Sequence, residues 1–389
     1  MHIASALKHL LLFTMASSTA SYIAPPALRA VVAGAGTAMF GEDVVVSAVL
    51  DLVIKAGGVG DAGAPLVKRS KEAVNLVYLG TASYDLPENK AAQTEEFARR
   101  GVRVTDLYVA KIAPAPGVVD SVLEAADVVL CSGGNTLFAV DRWKQFGVDK
   151  ALRRCMERGV VLCGGSAGAI CWFDSGHSDS MDPESYRAHM LAAAAAVEGC
   201  GSEGKAKEDA KEEAKKEEDK EEEKRKPWSY IRIDGLGFLP GLCCPHHDRV
   251  QSNGVLRASD FDGMLGRHPQ ETGVALDHFA ALVISEGHYR VIALEGKTGS
   301  VGGEPGLIVK RASQGAAGRE SGRDGDGGTE VLLEVKATVP GGGDGEKGSK
   351  DGNSRRPLAE LFRPALGPVT LDPKTEVARM ENPSFDLAP

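Results

Sequence analysis

Four apolar runs that each close on glycine constrain this chain more than any other feature. They are Leu28 to Ala35, Val74 to Gly80, Asp127 to Gly133 and Val160 to Gly164. A weaker run lies at Val102 to Val109. Between them fall amphipathic stretches, such as Val148, Leu152, Cys155 and Met156 at helical spacing. Strands that are apolar throughout cannot leave a face in water. Alternated with helices, they predict a parallel sheet covered on both faces. Three later runs, Tyr230 to Leu239, Gly273 to Ser285 and Tyr289 to Glu295, read as further strands.

Much of the 389-residue chain is not core-forming, which lowers the domain count that length alone suggests. Residues 201–226 are almost wholly Lys, Glu, Asp, Ala and Gly and cannot bury enough apolar surface to offset their ordering entropy. Gly-rich stretches within 314–353 (from Gln314 to Gly328 and from Gly341 to Asn353) read as long surface loops. The expected organisation is a leader or extension at 1–27, one α/β domain at 28–372 with disordered inserts at about 201–226 and 314–353, and a tail at 373–389. The leader holds a short apolar run, Leu10 to Ala16, and no acidic residue precedes Glu42. It fits a signal or transit peptide, or translation starting at Met15. A cytoplasmic location is expected, with organelle targeting as the alternative.

The net charge of −9 argues against nucleic acid as a partner and against attraction to an anionic membrane. Seven cysteines, an odd number, form no disulfide scaffold, and Cys131, Cys163 and Cys171 read as buried free thiols. Cys243-Cys244 lacks the second pair that a zinc site needs, so no metal is expected.

Gly164-Gly165-Ser166-Ala167-Gly168 follows an apolar strand and precedes a plausible helix. That is the setting of a nucleophile elbow, where small flanking residues let a tight turn push the serine hydroxyl outward. The Ala167 N–H would then sit at a helix start, where it can stabilise an oxyanion. A glycine turn that merely connects two elements, or binds phosphate, fits the same residues. Ser132-Gly133-Gly134-Asn135-Thr136 ends another strand. Gly134 can supply a second oxyanion donor, and Asn135 either caps the next helix or meets substrate. Of nine histidines, His177, His246, His247 and His278 remain as candidates for a base. Carboxylates to orient it are Asp174, Asp179, Asp182 and Asp277, although turn formation explains most of these equally well.

Taken in order, Gly-Gly-Asn-Thr (133–136), Gly-Gly-Ser-Ala-Gly-Ala (164–169) with Cys-Trp-Phe after it, Pro-His (245–246) and Gly-Val-Ala-Leu-Asp-His (273–278) resemble the peptidase E, or aspartyl dipeptidase, family of serine peptidases. The resemblance covers roughly 28–295. It implies a flavodoxin-like α/β fold akin to class I glutamine amidotransferase domains: three layers, a mostly parallel sheet, helices on both faces. It also implies cofactor-free, metal-independent hydrolysis of short peptides with an N-terminal aspartate, and allows a homodimer. Carried over by motif, Ser166 is the nucleophile, His246 the base, and Asp179 the orienting acid, with Asp277 as the alternative. Gly134 and Ala167 form the oxyanion hole. Arg257, with Arg249 as the alternative, and Asn135 hold the substrate. A cyanophycinase-like β-aspartyl hydrolase and a non-catalytic scaffold are the rival readings.

Overall fold

The structure, a computed structural model, describes residues 27–55, 74–183, 228–313, 328–338 and 355–362. All of them lie in one compact unit spanning 21–363. The expected leader, the charged insert at 201–226 and the tail at 373–389 fall outside the described residues, as does most of 314–353.

The glycine-closed runs become strands β1 (Arg29–Ala33), β2 (Asn75–Leu79), β4 (Val128–Cys131) and β5 (Val161–Gly165). With β3 (Arg103–Asp106) they form five neighbouring parallel strands in the order β1-β5-β4-β2-β3. Alternate residues of these strands join two separate apolar clusters. Val32, Val129 and Leu162 meet helices α4 (Val118–Glu124), α5 (Thr136–Phe146) and α6 (Val148–Glu157), with Trp143 and Leu152 fully buried among them. Val31, Val128, Val161 and Cys163 meet α1 (Thr37–Phe40), α2 (Asp43–Lys55) and α3 (Pro87–Arg99) through Phe40, Val49 and Phe97. Strands β1, β2, β4 and β5 are therefore dry on both sides, which is what their unbroken apolar sequence requires, while β3 forms the partly exposed edge.

The remainder departs from the expected mostly parallel sheet, and the fold is mixed α/β. Beyond β1 the first sheet continues antiparallel through β10 (Ala280–Ser285), β11 (His288–Ala293) and β14 (Arg356–Pro357), making eight strands. A second, six-stranded sheet runs β13-β12-β9-β8-β6-β7. It comprises β6 (Phe173–Ser178), β7 (Ile231–Asp234), β8 (Leu239–Cys244), β9 (Gly273–Leu276), β12 (Gly306–Ala312) and β13 (Thr329–Lys336). Strand β13 lies inside the stretch expected to be a disordered insert; it pairs with β12 along its length.

Two expected single strands are each two. Tyr230 to Leu239 breaks at Gly235–Gly237 into β7 and the start of β8. Gly273 to Ser285 breaks at Asp277–Phe279, and the halves lie in different sheets. This crossing carries the chain from β9 to β10 past the carboxyl end of β1, where the Gly34 N–H donates to the Ala280 carbonyl at 2.9 Å. The approach is so close that a Cβ on Gly34 would stand 1.9 Å from the Asp277 carbonyl oxygen. No residue but glycine fits there.

Candidate active site

Ser166 stands between β5 and the short helix α7 (Ala167–Ile170) with φ 56° and ψ −120°. A β-carbon makes that backbone region costly, on the order of 1–3 kcal/mol, so surrounding contacts must hold it. They do. The Ser166 N–H donates to the Ala33 carbonyl at 3.3 Å, and its own carbonyl accepts from the N–H groups of Ala169 and Ile170 at 2.9 and 3.1 Å. Its neighbours are buried while Ser166 is only half-buried. The elbow thus lifts one hydroxyl out of an otherwise dry strand end.

The loop after β4 lies against it. A Cβ on Gly133 would come within 3.2 Å of the Ser166 Cβ and 3.7 Å of its Oγ. Gly134 adopts φ 122°, a conformation that L side chains rarely take. Asn135 ends the loop fully buried. Its Oδ1 accepts from the Phe138 N–H at 2.9 Å, capping α5, and its Nδ2 donates to the Ser180 carbonyl at 3.1 Å. Of the two roles expected for Asn135, capping is the one that the structure displays; both ends of its side chain are committed to the fold rather than presented to a substrate.

His246 follows β8 and, like Ser166, has a positive φ, 51°. It is half-buried. Its Nδ1 lies 2.7 Å from Nδ1 of His278, which sits in the β9–β10 crossing. The backbone N–H of His278 is held by the Asp248 carboxylate at 2.7 Å. Burial pushes the His246 pKa well below the usual histidine value, and the nearby Arg257, His278 and Arg249 push it the same way. Burial and Arg249 also lower that of His278, partly opposed by Asp248. In both rings burial favours the neutral form.

The expected carboxylates stand elsewhere. Asp179 pairs with Arg257 at 3.1 Å. Asp277, almost wholly buried, accepts from the Ser300 N–H, the Ser300 hydroxyl and the Gly306 N–H at 2.8, 2.6 and 3.0 Å, and lies 3.5 Å from Nδ1 of His247. Those donors hold its pKa below the usual carboxylate range against the opposing effect of burial. Among the described residues neither carboxylate is hydrogen-bonded to His246.

Arg257 opens helix α8 (Arg257–Arg267) and is completely buried. Besides Asp179 it donates to the His177 carbonyl at 2.5 Å and lies over the Tyr230 ring. This guanidinium, expected to meet a substrate, is fully buried and paired within the fold. Arg249, partly exposed, lies over the Phe279 ring beside His278, and Lys297 lies over the same ring. The partner of His246 was hidden from sequence reasoning because a run reading as one strand contains a change of sheet. A signal existed: Asp277-His278 is the only polar pair in that apolar run.

A strained serine at a strand–helix junction, with Gly133 packed against its side chain, is the local arrangement of a nucleophile elbow. Residues 64–202 match peptidase family S51. A segment of 70 residues is 46% identical to a protein named "Uncharacterized peptidase YgaJ" from Bacillus subtilis (strain 168), spanning 18% of this chain and 30% of that one. Over 330 residues the chain is 27% identical to a protein named "G2/mitotic-specific cyclin-1" from Trypanosoma brucei brucei, spanning 80% of this chain and 82% of that one. Among solved structures it is similar to a putative peptidase E from Listeria monocytogenes EGD-e (14% identity, TM-score 0.41, covering 69% of this chain and 99% of that one). It is also similar to a peptidase from an acI-B1 actinobacterium (14% identity, TM-score 0.44, covering 72% and 90%). The match to peptidase family S51 over residues 64–202, together with the similar segment of a Bacillus subtilis peptidase, supports a peptidase.

Proposed function

We propose that this peptidase removes N-terminal aspartate from dipeptides and short peptides through an acyl-enzyme on Ser166. The observation that carries the reading is the strained backbone of Ser166 with Gly133 packed against its side chain. Ser166 Oγ attacks the peptide carbonyl while His246 takes its proton. The N–H groups of Gly134 and Ala167 receive the oxyanion; among the described residues no other hydrogen bond uses either of them. The leaving amine takes the proton from His246, and water then hydrolyses the ester. Neutral His246 is the form that a general base requires. For the aspartyl side chain, Arg249 is the cation best placed, since it borders the His246–His278 pair and is partly exposed.

The test is hydrolysis of Asp-Leu, β-Asp-Leu and Leu-Asp by the wild-type chain and by Ser166→Ala. Cleavage of Asp-Leu alone, falling by a factor on the order of 10⁴ or more in Ser166→Ala, is expected. Equal activity in the two proteins would remove Ser166 from the mechanism. Preferred cleavage of the β-linked substrate would instead support the β-aspartyl hydrolase reading.

A further inference from the structure

We infer that His278 serves as the positioning residue for His246, so that the base acting on Ser166 is a pair of imidazoles with no carboxylate behind it. The inference rests on the reading of Ser166 as nucleophile and His246 as base, and adds the group that sets the state of that base.

The contact is specific. Two Nδ1 atoms 2.7 Å apart are bonded only if one carries a proton and the other a lone pair. The rings lie 4.8 Å apart between centroids and are tilted by 43°, so each presents an edge to the other. When His246 donates from Nδ1, its Nε2 holds a lone pair and can accept the Ser166 proton. When His278 donates instead, His246 carries its proton on Nε2 and is useless as a base. The structure favours no second orienting group, because Asp179 is tied to Arg257 and Asp277 to Ser300 and Gly306.

His278 is built to stay in place. Its backbone N–H is held by Asp248, the Gly34 N–H at the end of β1 ties down Ala280 two residues on, and its ring meets Phe279 edge to face at 4.5 Å. A positioning group needs such fixity, since a small misplacement at a catalytic base costs orders of magnitude in rate.

In the step itself the Ser166 Oγ–H proton passes to His246 Nε2 as the Oγ–C bond forms and the carbonyl π pair moves onto oxygen. The imidazolium keeps its Nδ1 proton hydrogen-bonded to the lone pair on His278 Nδ1, whose own proton is on Nε2. Collapse returns the carbonyl, breaks the C–N bond and delivers the Nε2 proton to the leaving amine. The charged groups facing the pair are Arg257 and Arg249, which disfavour the imidazolium, and Asp248, which favours a proton on His278. A neutral acceptor stabilises the imidazolium less than a carboxylate would. The pair accordingly holds its base form to lower pH than an ordinary histidine near 6.5.

The experiment uses the full chain with ¹⁵N-histidine. It reads the His246 nitrogen shifts by NMR and the rate of Ser166 labelling by a fluorophosphonate from pH 4 to 9. In His278→Ala the labelling rate is expected to fall about a hundredfold, with His246 losing its single tautomer. His278→Gln, whose amide oxygen still accepts from Nδ1, should recover much of that rate. His278→Glu should recover it and move the acid limb to higher pH, because a carboxylate raises the His246 pKa. A His278→Ala protein that labels within twofold of wild type, or a His278→Glu profile coincident with wild type, overturns the inference. If His278→Ala fails to fold, the Gln and Glu variants decide. If wild type itself does not label, the nucleophile reading fails, while the nitrogen shifts still judge the histidine pair.

Discussion

At the scale of single residues, the site is a record of side chains committed or left free. Arg257 and Asp179 illustrate commitment. A fully buried guanidinium needs a counter-charge, and Asp179 supplies it from a position only about a quarter exposed. Removing one partner of such a pair strands the other. Asp179→Asn is therefore expected to lower unfolding free energy by about 3 kcal/mol, the lower end for a broken buried pair because Asp179 keeps some solvent. The His246 nitrogen shifts should not change. Urea denaturation and ¹⁵N NMR on the same variant check both halves. An intact melt combined with a lost His246 tautomer would return Asp179 to the role its motif suggested. Motif position made Asp179 and Arg257 legible as important without revealing that each is important to the other.

At the scale of elements, strand identity was legible and strand partnership was not. Apolar residues without alternation mark β1, β2, β4 and β5 because both faces are dry. The same pattern cannot say where a chain leaves one sheet for another, since β9 is buried throughout and β10 at every residue but Ser285. That ambiguity hid the crossing at Asp277–Phe279, and with it the neighbour of His246. Strand β13 was missed for the opposite reason: it is largely exposed and flanked by glycine-rich sequence, so it reads as loop. The crossing also makes a strong demand on β1. Gly34→Ala would drive a methyl group into the Asp277 carbonyl, and overpacking of this kind costs about 3 kcal/mol. Thermal melts should show the loss. Crystals of the variant should show the 277–279 turn displaced, with the His246–His278 contact lengthened. A variant as stable as wild type would mean that the two backbones part freely.

At the scale of the whole molecule, the histidines set how the fold responds to acid. His177 is buried against Tyr230 and Phe261, and burial pulls its pKa down to about 4 in spite of its bond to Asp260. His246, His268 and His278 are also lowered, chiefly by burial. The unfolded chain binds these protons near pH 6.5 and the folded chain does not. The stability they permit is thus complete above about pH 6.5. It is lost as pH falls from there toward 4, where His177 charges in the folded state. Melting temperature should fall through that window, well above the range in which paired carboxylates such as Asp277 titrate. A flat melting profile from pH 6.5 to 4.5 would contradict this account.

The change of sheet at Asp277–Phe279 has a mechanical consequence. Ser166 hangs from the end of β5 in one sheet, and His246 from the end of β8 in the other. In the proposed mechanism the proton therefore crosses between two separate sheets, and His278 sits in the turn that joins them. A twist of one sheet against the other would register first as a change in the distance it crosses. The three-residue turn that carries His278 is where the chain passes from one sheet to the other. On the proposed mechanism, a substitution that lets the two sheets shift at this turn is expected to lower activity even where every reacting group is kept.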